Sequence, residues 1–162
     1  MNVYLVAELT SPLREPLDVP DDVEVRPTSQ ADVAALAGLY VRAYGLGPDA
    51  LGDAVTEMES AFDGTWGTLW TEASPVAWIG STPVAVVQTV RRPVMDDALA
   101  CPWVIEVFTD PAHRGAALAR SLLVRACSVV ADAGEQRVGL TVDIDNVPAM
   151  TLYRSLGFVE AP

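Results

Sequence analysis

Residues 107–123, VFTDPAHRGAALARSLL, constrain the fold more than any other segment. They follow a run, PWVIEVFTD, whose β-branched and aromatic residues suit a buried strand. Pro111 cannot donate to a ladder and ends that strand. Small residues then lead into an amphipathic helix predicted from about Arg114 to Ala133. Its apolar face is Leu118, Leu122, Leu123, Ala126, Val129 and Val130, and Gly134 closes it. A strand that feeds such a helix must be covered by it, which selects a layered arrangement of helices on a sheet.

The remaining segments extend this pattern. VEVRP (Val23–Pro27) alternates as a half-buried strand does. Thr28 or Ser29 can cap a first helix carrying Val33, Leu36, Ala37, Tyr40, Val41 and Tyr44, stopped by Gly45 and Gly47. A second helix is expected from about Pro48 to Phe62. PVAWIG and PVAVVQTVRR flank a GSTP turn and read as a hairpin. QRVGLTVDID is a further strand, NVPAMTLYRSLG a short helix, and FVE opens a last strand. The order β-α-α-β-β-β-α-β-α-β implies an α/β or α+β class with a mixed sheet. Before it, VYLVAEL could form an extra strand and SPLREPLDVPDD reads as a connector.

At 162 residues, just over half of them hydrophobic, the chain is expected to form one ordered domain. No apolar run reaches the roughly 18–20 residues of a membrane span, and the start lacks the basic region of a secretory signal. The reading is a soluble cytoplasmic protein. A formal charge of −12 and scattered arginines argue against nucleic acid as a partner. Surface acidity could steer a cationic partner, or could serve only solubility. Cys101 and Cys127 lack CxxC spacing and share the chain with one histidine, so buried free thiols are expected and no metal.

At Arg114–Ala119 a helix N-terminus with unpaired N–H groups meets small side chains. That is what an anion site requires, with Arg114 adding a charge-assisted contact. Close packing of the helix would also explain the alanines. The segment is neither a GK[ST] loop nor GxGxxG.

HRGAALA resembles the acetyl-CoA-binding motif of the GNAT superfamily, Q/R-x-x-G-x-G/A, with Ala117 where the family usually has Gly. VEVRPTSQADVAAL is similar to that family's first strand and helix, and VFTDP to its V-x-P strand end. NVPAMTLYRSLGF matches N-x-x-A-x-x-L-Y-x-x-x-G-F at Asn146, Ala149, Leu152, Tyr153, Gly157 and Phe158. Together these cover about residues 23–160. The resemblance implies a GNAT-like domain over 23–162, with residues 1–22 as an N-terminal extension. It implies a mixed, mostly antiparallel sheet of six to seven strands, helices on both faces, and a splayed parallel pair.

It also implies roles. Acetyl-CoA would lie in the splay, against main-chain groups of Val107, Phe108 and Thr109. Its pyrophosphate would meet Arg114, Gly115, Ala116, Ala117, Leu118 and Ala119, and Asn146 would bond the pantetheine arm. Tyr153 matches the general acid, unless it is simply a packed core tyrosine. Glu106 is the first candidate base, Asp143 the second, and a water chain the third. Tyr40, Tyr44, Glu57, Glu59, Trp66, Trp70, Asp96, Asp97 and Asp143 fall where an amine acceptor would be received. The expected function is acetyl transfer to an amine, with a small molecule favoured over a protein N-terminus or lysine. A non-catalytic acyl-CoA-binding module is the alternative. The few residues after Phe158 suggest completion by a second subunit in a homodimer.

Overall fold

A computed structural model gives the structure of the protein, describing residues 1–10, 13–15, 17–94, 100–115 and 117–162. The described residues form β1 (Asn2–Glu8), β2 (Glu24–Pro27), α1 (Val33–Ala43), α2 (Leu51–Phe62), β3 (Pro75–Ile79) and β4 (Thr82–Val90). They continue with β5 (Trp103–Thr109), α3 (Leu118–Asp132), β6 (Arg137–Asp143), α4 (Val147–Ser155) and β7 (Val159–Glu160). The strands make one sheet in the order β2-β3-β4-β5-β6-β1-β7. Every neighbouring pair is antiparallel except β5 and β6. This is the mixed sheet with a parallel pair that the sequence implies. None of the described helices is long and apolar enough to cross a membrane.

The apolar start is an interior strand. β1 pairs with β6 along its whole length, from Asn2↔Asp143 to Glu8↔Arg137, and takes β7 on its other side. Its alternation explains the placement: Leu5 and Ala7 are buried in the core, and the residues between them face outward.

Both faces of the sheet are covered. Leu36, Ala37 and Leu39 of α1 and Met58 of α2 pack on Val76, Trp78, Val86 and Phe108. On the other face, Leu118, Leu122, Leu123 and Ala126 of α3 and Met150 of α4 pack on Ala85, Val87, Val104 and Leu140. β4 lies under both layers and is buried from Pro83 to Val90. That explains its near-continuous apolar sequence. Cys101 and Cys127 are buried and free.

The helix starts differ from the sequence expectation. Ser29 caps a 3₁₀ turn, Gln30–Asp32, before α1 begins at Val33. α3 begins at Leu118 and not near Arg114. Asp110 caps a separate 3₁₀ turn, Pro111–His113. Gly115 at φ 91° and Ala117 at φ 57° then adopt left-handed backbone that cannot continue a right-handed helix.

The parallel pair is short. Only Trp103↔Gly139 and Val104↔Leu140 are in register, after which β5 and β6 diverge. Trp103 is buried, donates its Nε1 hydrogen to Thr141 Oγ1 at 3.3 Å, and packs edge-on to Tyr4 at 5.8 Å. Its ring covers Gly139, and a Cβ there would collide with it. Gly139→Ala is therefore expected to cost about 1–3 kcal/mol by overpacking. Urea unfolding measures this, and a loss under ~0.5 kcal/mol would mean the ring is free to move aside.

Candidate active site

β5 carries an irregularity that sets the site. Gln88 pairs with Glu106, but the next residue, Thr89, pairs with Val104, so Ile105 is an extra residue on β5. The bulge resets the alternation. Val104 and Val107 both join the α3 layer, while Phe108 joins the α1–α2 layer and Glu106 faces Glu57 of α2.

The ladder also sorts the main-chain groups of β5. Asp110 N–H donates to the Val84 carbonyl at 2.8 Å. Antiparallel alternation then commits Phe108 to Val86 and turns the backbone groups of Val107 and Thr109 toward β6. Since β6 has diverged there, those groups border an open wedge.

A hollow of about 420 Å³ occupies the wedge, lined by Val107, Phe108, Thr109, Arg114, Ala119, Asn146 and Tyr153, with Tyr44 at its wall. Most residues expected at a cofactor thus meet in one cleft. Leu118 is buried in the core, and only its backbone belongs to the turn. Ala116, like Asp96 and Asp97, lies outside the described residues. Asn146 Oδ1 accepts from Ala149 N–H at 3.2 Å and caps α4, leaving its Nδ2 donors uncommitted among the described hydrogen bonds.

The turn is tied to α1. Asp110 accepts from Ala112 N–H and from Arg42 Nε, both at 2.9 Å, and Arg42 also donates to the Pro83 carbonyl at 3.0 Å. Burial would raise the Asp110 carboxyl, but these donors hold it below its ordinary value. Arg114 donates to the Ala43 carbonyl at 2.6 Å, at the negative end of α1.

A second hollow, about 200 Å³, continues from the first between β5 and β6. Tyr44, Asn146 and Tyr153 line both. Glu106 lines this one and a third, of about 290 Å³, beneath α2. Burial and the Glu57 carboxylate push Glu106 up to about 7, against a partial offset from a hydrogen bond with Tyr44. Burial, with Glu106 adding to it, raises Tyr153 to about 12. Burial and Glu106 raise Tyr40 and Tyr44 as well. Tyr40 and Tyr44 pack with their ring centroids 4.7 Å apart and their planes tilted by 53°, and both contact Phe108, forming an aromatic wall beside Glu106.

The other candidates are placed differently. Asp143 lines the second hollow with Glu106 and Tyr153, but it stands exposed at the end of β6, and the Asp145 N–H holds its carboxyl below the ordinary range, which weakens it as a base. Trp70 is buried against Ala73 and Val130, away from the three hollows, and Glu59 is exposed on α2. Trp66 and Glu57 do line the third hollow.

Gln88 escaped the sequence reading. It is fully buried, lines the third hollow, and has no hydrogen-bond partner on either Oε1 or Nε2 among the described residues. An unpaired buried polar group costs on the order of 1–3 kcal/mol. The available signal was an amide inside the apolar run PVAVVQTV.

The sequence matches the Acetyltransferase (GNAT) family over residues 48–158, and the chain belongs to that family. It is 46% identical over 67 residues to a mycothiol acetyltransferase of Kineococcus radiotolerans, a match covering 41% of this chain and 21% of that protein. The chain thus spans about a fifth of the length of that curated relative. The fold superposes on a GCN5-related N-acetyltransferase from Sphaerobacter thermophilus with a TM-score of 0.73 at 19% identity, over 99% of this chain and 48% of that one. It also superposes on an aminoglycoside N-acetyltransferase, AAC(6')-Iy, in complex with CoA, with a TM-score of 0.65 at 14% identity, over 91% and 93%.

Two outcomes follow from the geometry. Ala117 pays for left-handed backbone that glycine adopts freely, so Ala117→Gly should raise stability by about 0.5–1 kcal/mol in urea unfolding. No gain would mean the turn relaxes around alanine. Glu106 keeps its proton to about pH 7 when folded, against an ordinary value of 4.5. Between those values the folded state binds more protons than the unfolded one, so stability falls as pH rises through the window. Thermal unfolding from pH 5 to 8 should show wild type losing ground to Glu106→Gln, and parallel curves would show Glu106 ionizing normally.

Proposed function

We propose that the chain transfers an acetyl group from acetyl-CoA to a primary amine of a small molecule, by direct attack within a ternary complex. The observation that carries this reading is the position of Glu106, a partly buried carboxylate poised near neutrality that lines both the second hollow, which continues from the wedge, and the hollow beneath α2.

The wedge fits the cofactor. Freed main-chain groups at Val107 and Thr109 suit an amide-bearing arm, and Asn146 Nδ2 supplies a further donor. Gly115, Ala117 and Ala119 leave the start of α3 unobstructed for a pyrophosphate. Arg114, held at Ala43, lies on the rim with a guanidinium that can contact phosphate. Acetyl-CoA supplies the activated acyl thioester when bound.

Glu106 accepts the proton that an arriving ammonium must lose before its nitrogen can attack. The Thr109 N–H, facing the wedge, is placed to donate to the developing oxyanion, whereas the Phe108 N–H is committed to β4. Tyr153, kept protonated at neutral pH by burial, donates its hydroxyl proton to the departing thiolate.

Thermal shift with acetyl-CoA, CoA and ATP tests the reading. At about 100 times Kd, acetyl-CoA and CoA should add about 2.7 kcal/mol and raise Tm by roughly 5–10 °C, while ATP does not. Thiol release with an amine panel should then fall about 10²–10⁴-fold in kcat for Tyr153→Phe, with acetyl-CoA affinity retained. Binding without thiol release from any amine would identify an acyl-CoA-binding module instead.

A further inference from the structure

The hollow of about 290 Å³ beneath α2 joins three unlike features. Its carboxylates are Glu57 and Glu106. Its walls include the apolar Ala61, Trp66, Val94 and Trp103. Its one neutral amide among the described residues is Gln88, 0% exposed and with both polar atoms unpartnered among those residues. Trp78 Nε1 and Thr89 Oγ1 are also unpartnered, but neither residue lines this hollow.

Gln88 and Glu106 are directly opposed across β4 and β5. Opposed residues share a sheet face with Cβ atoms about 5 Å apart. The amide and the carboxylate therefore project side by side. No arginine or histidine lines the hollow among the described residues, so an anionic group entering it would meet two carboxylates without a cation. A carboxamide suits Gln88 in both directions: Nε2 donates to its carbonyl, and Oε1 accepts from its N–H.

Building on the acetyltransferase reading, we propose that Gln88 is the specificity-determining residue of the acceptor site. It recognizes the carboxamide of a small α-amino amide with an apolar side chain. The ammonium of such a molecule is one carbon from its carboxamide, which matches the neighboring positions of Glu106 and Gln88. Its apolar side chain fills the space between Ala61, Trp66 and Trp103. The hollow corresponds to roughly ten water volumes, the scale of one such molecule. A free amino acid is rejected by the two carboxylates, and a simple alkyl amine leaves Gln88 unpaired.

The probes are phenylalaninamide, phenylalanine, phenethylamine and phenylalanylglycinamide, assayed by thiol release with wild type and Gln88→Met. Wild type should favor phenylalaninamide over phenethylamine by at least about tenfold in kcat/KM, mostly through KM, with phenylalanine poorest. Gln88→Met should bring the phenylalaninamide-to-phenethylamine ratio in kcat/KM down to about one while the acetyl-CoA thermal shift is retained. Equal wild-type use of phenylalaninamide and phenethylamine would overturn the proposal, as would equal loss for both in Gln88→Met. Preference for phenylalanylglycinamide would overturn the small-molecule assignment in favor of a peptide N-terminus. Should Gln88→Met not fold, the wild-type rank order decides. If acetyl-CoA is not used at all, the acetyltransferase reading fails separately. Ligand-observed NMR of the same probes against both proteins then decides whether Gln88 selects the amide, and equal binding would overturn it.

Discussion

The site depends on β5 and β6 parting after two paired residues. Had they stayed paired, Val107 and Thr109 would spend their main-chain groups on β6, and the wedge would be closed. At the first of those two pairs Trp103 lies over Gly139, which packs the junction tightly before the strands separate beyond Val104 and Leu140. The Ile105 bulge adds the second half of the geometry. Without the extra residue, Val104, Glu106 and Phe108 would share one face. With it, Val104 stays in the α3 layer while Glu106 and Phe108 turn toward α1 and α2. Splay and bulge together bring a backbone cleft and a partly buried carboxylate to the same strand.

Burial then assigns the protonation states. Tyr40, Tyr44 and Tyr153 are all raised, so each is a neutral phenol at neutral pH. Each can donate a proton, and none is available as a base. Glu106, pushed to about 7, is the group near the wedge that both accepts and returns a proton in that range. The Glu57 carboxylate helps to raise it and also makes the hollow beneath α2 favorable to a cation. One charge thereby both raises Glu106 and favors a cation in the hollow.

Much of the architecture was legible because local pattern and tertiary context agree. The 3.6-residue stripes of α1, α2 and α3 and the apolar runs of β3 and β4 supply most of the buried core, although Tyr44 and Leu51, at the end of α1 and the start of α2, are exposed. Glu106 and Tyr153 were legible as candidates within recognizable segments, and the fold brings both to the second hollow. Three features were not. The start of α3 depends on the left-handed backbone at Ala117, and alanine does not announce that conformation as glycine would. The interior place of β1 depends on pairing with residues more than a hundred positions away. Gln88 matters through what does not surround it, and no sequence window records an absent hydrogen-bond partner.

The turn before α3 is held from outside itself. Its left-handed residues gain little from helix hydrogen bonding, and its fixed points are Asp110 on Arg42 and Arg114 on the Ala43 carbonyl. Both tethers end in the last turn of α1, where Tyr40 and Tyr44 form the wall beside Glu106. The Arg42–Asp110 pair is partly shielded and supported by two further hydrogen-bonding groups, the Pro83 carbonyl and the Ala112 N–H, so it acts as a small network and not as an isolated surface pair. A displacement of the turn must therefore pull on the end of α1, and a shift of α1 must disturb the turn. The turn beside the wedge and the aromatic wall beside Glu106 are thus tied through one helix end.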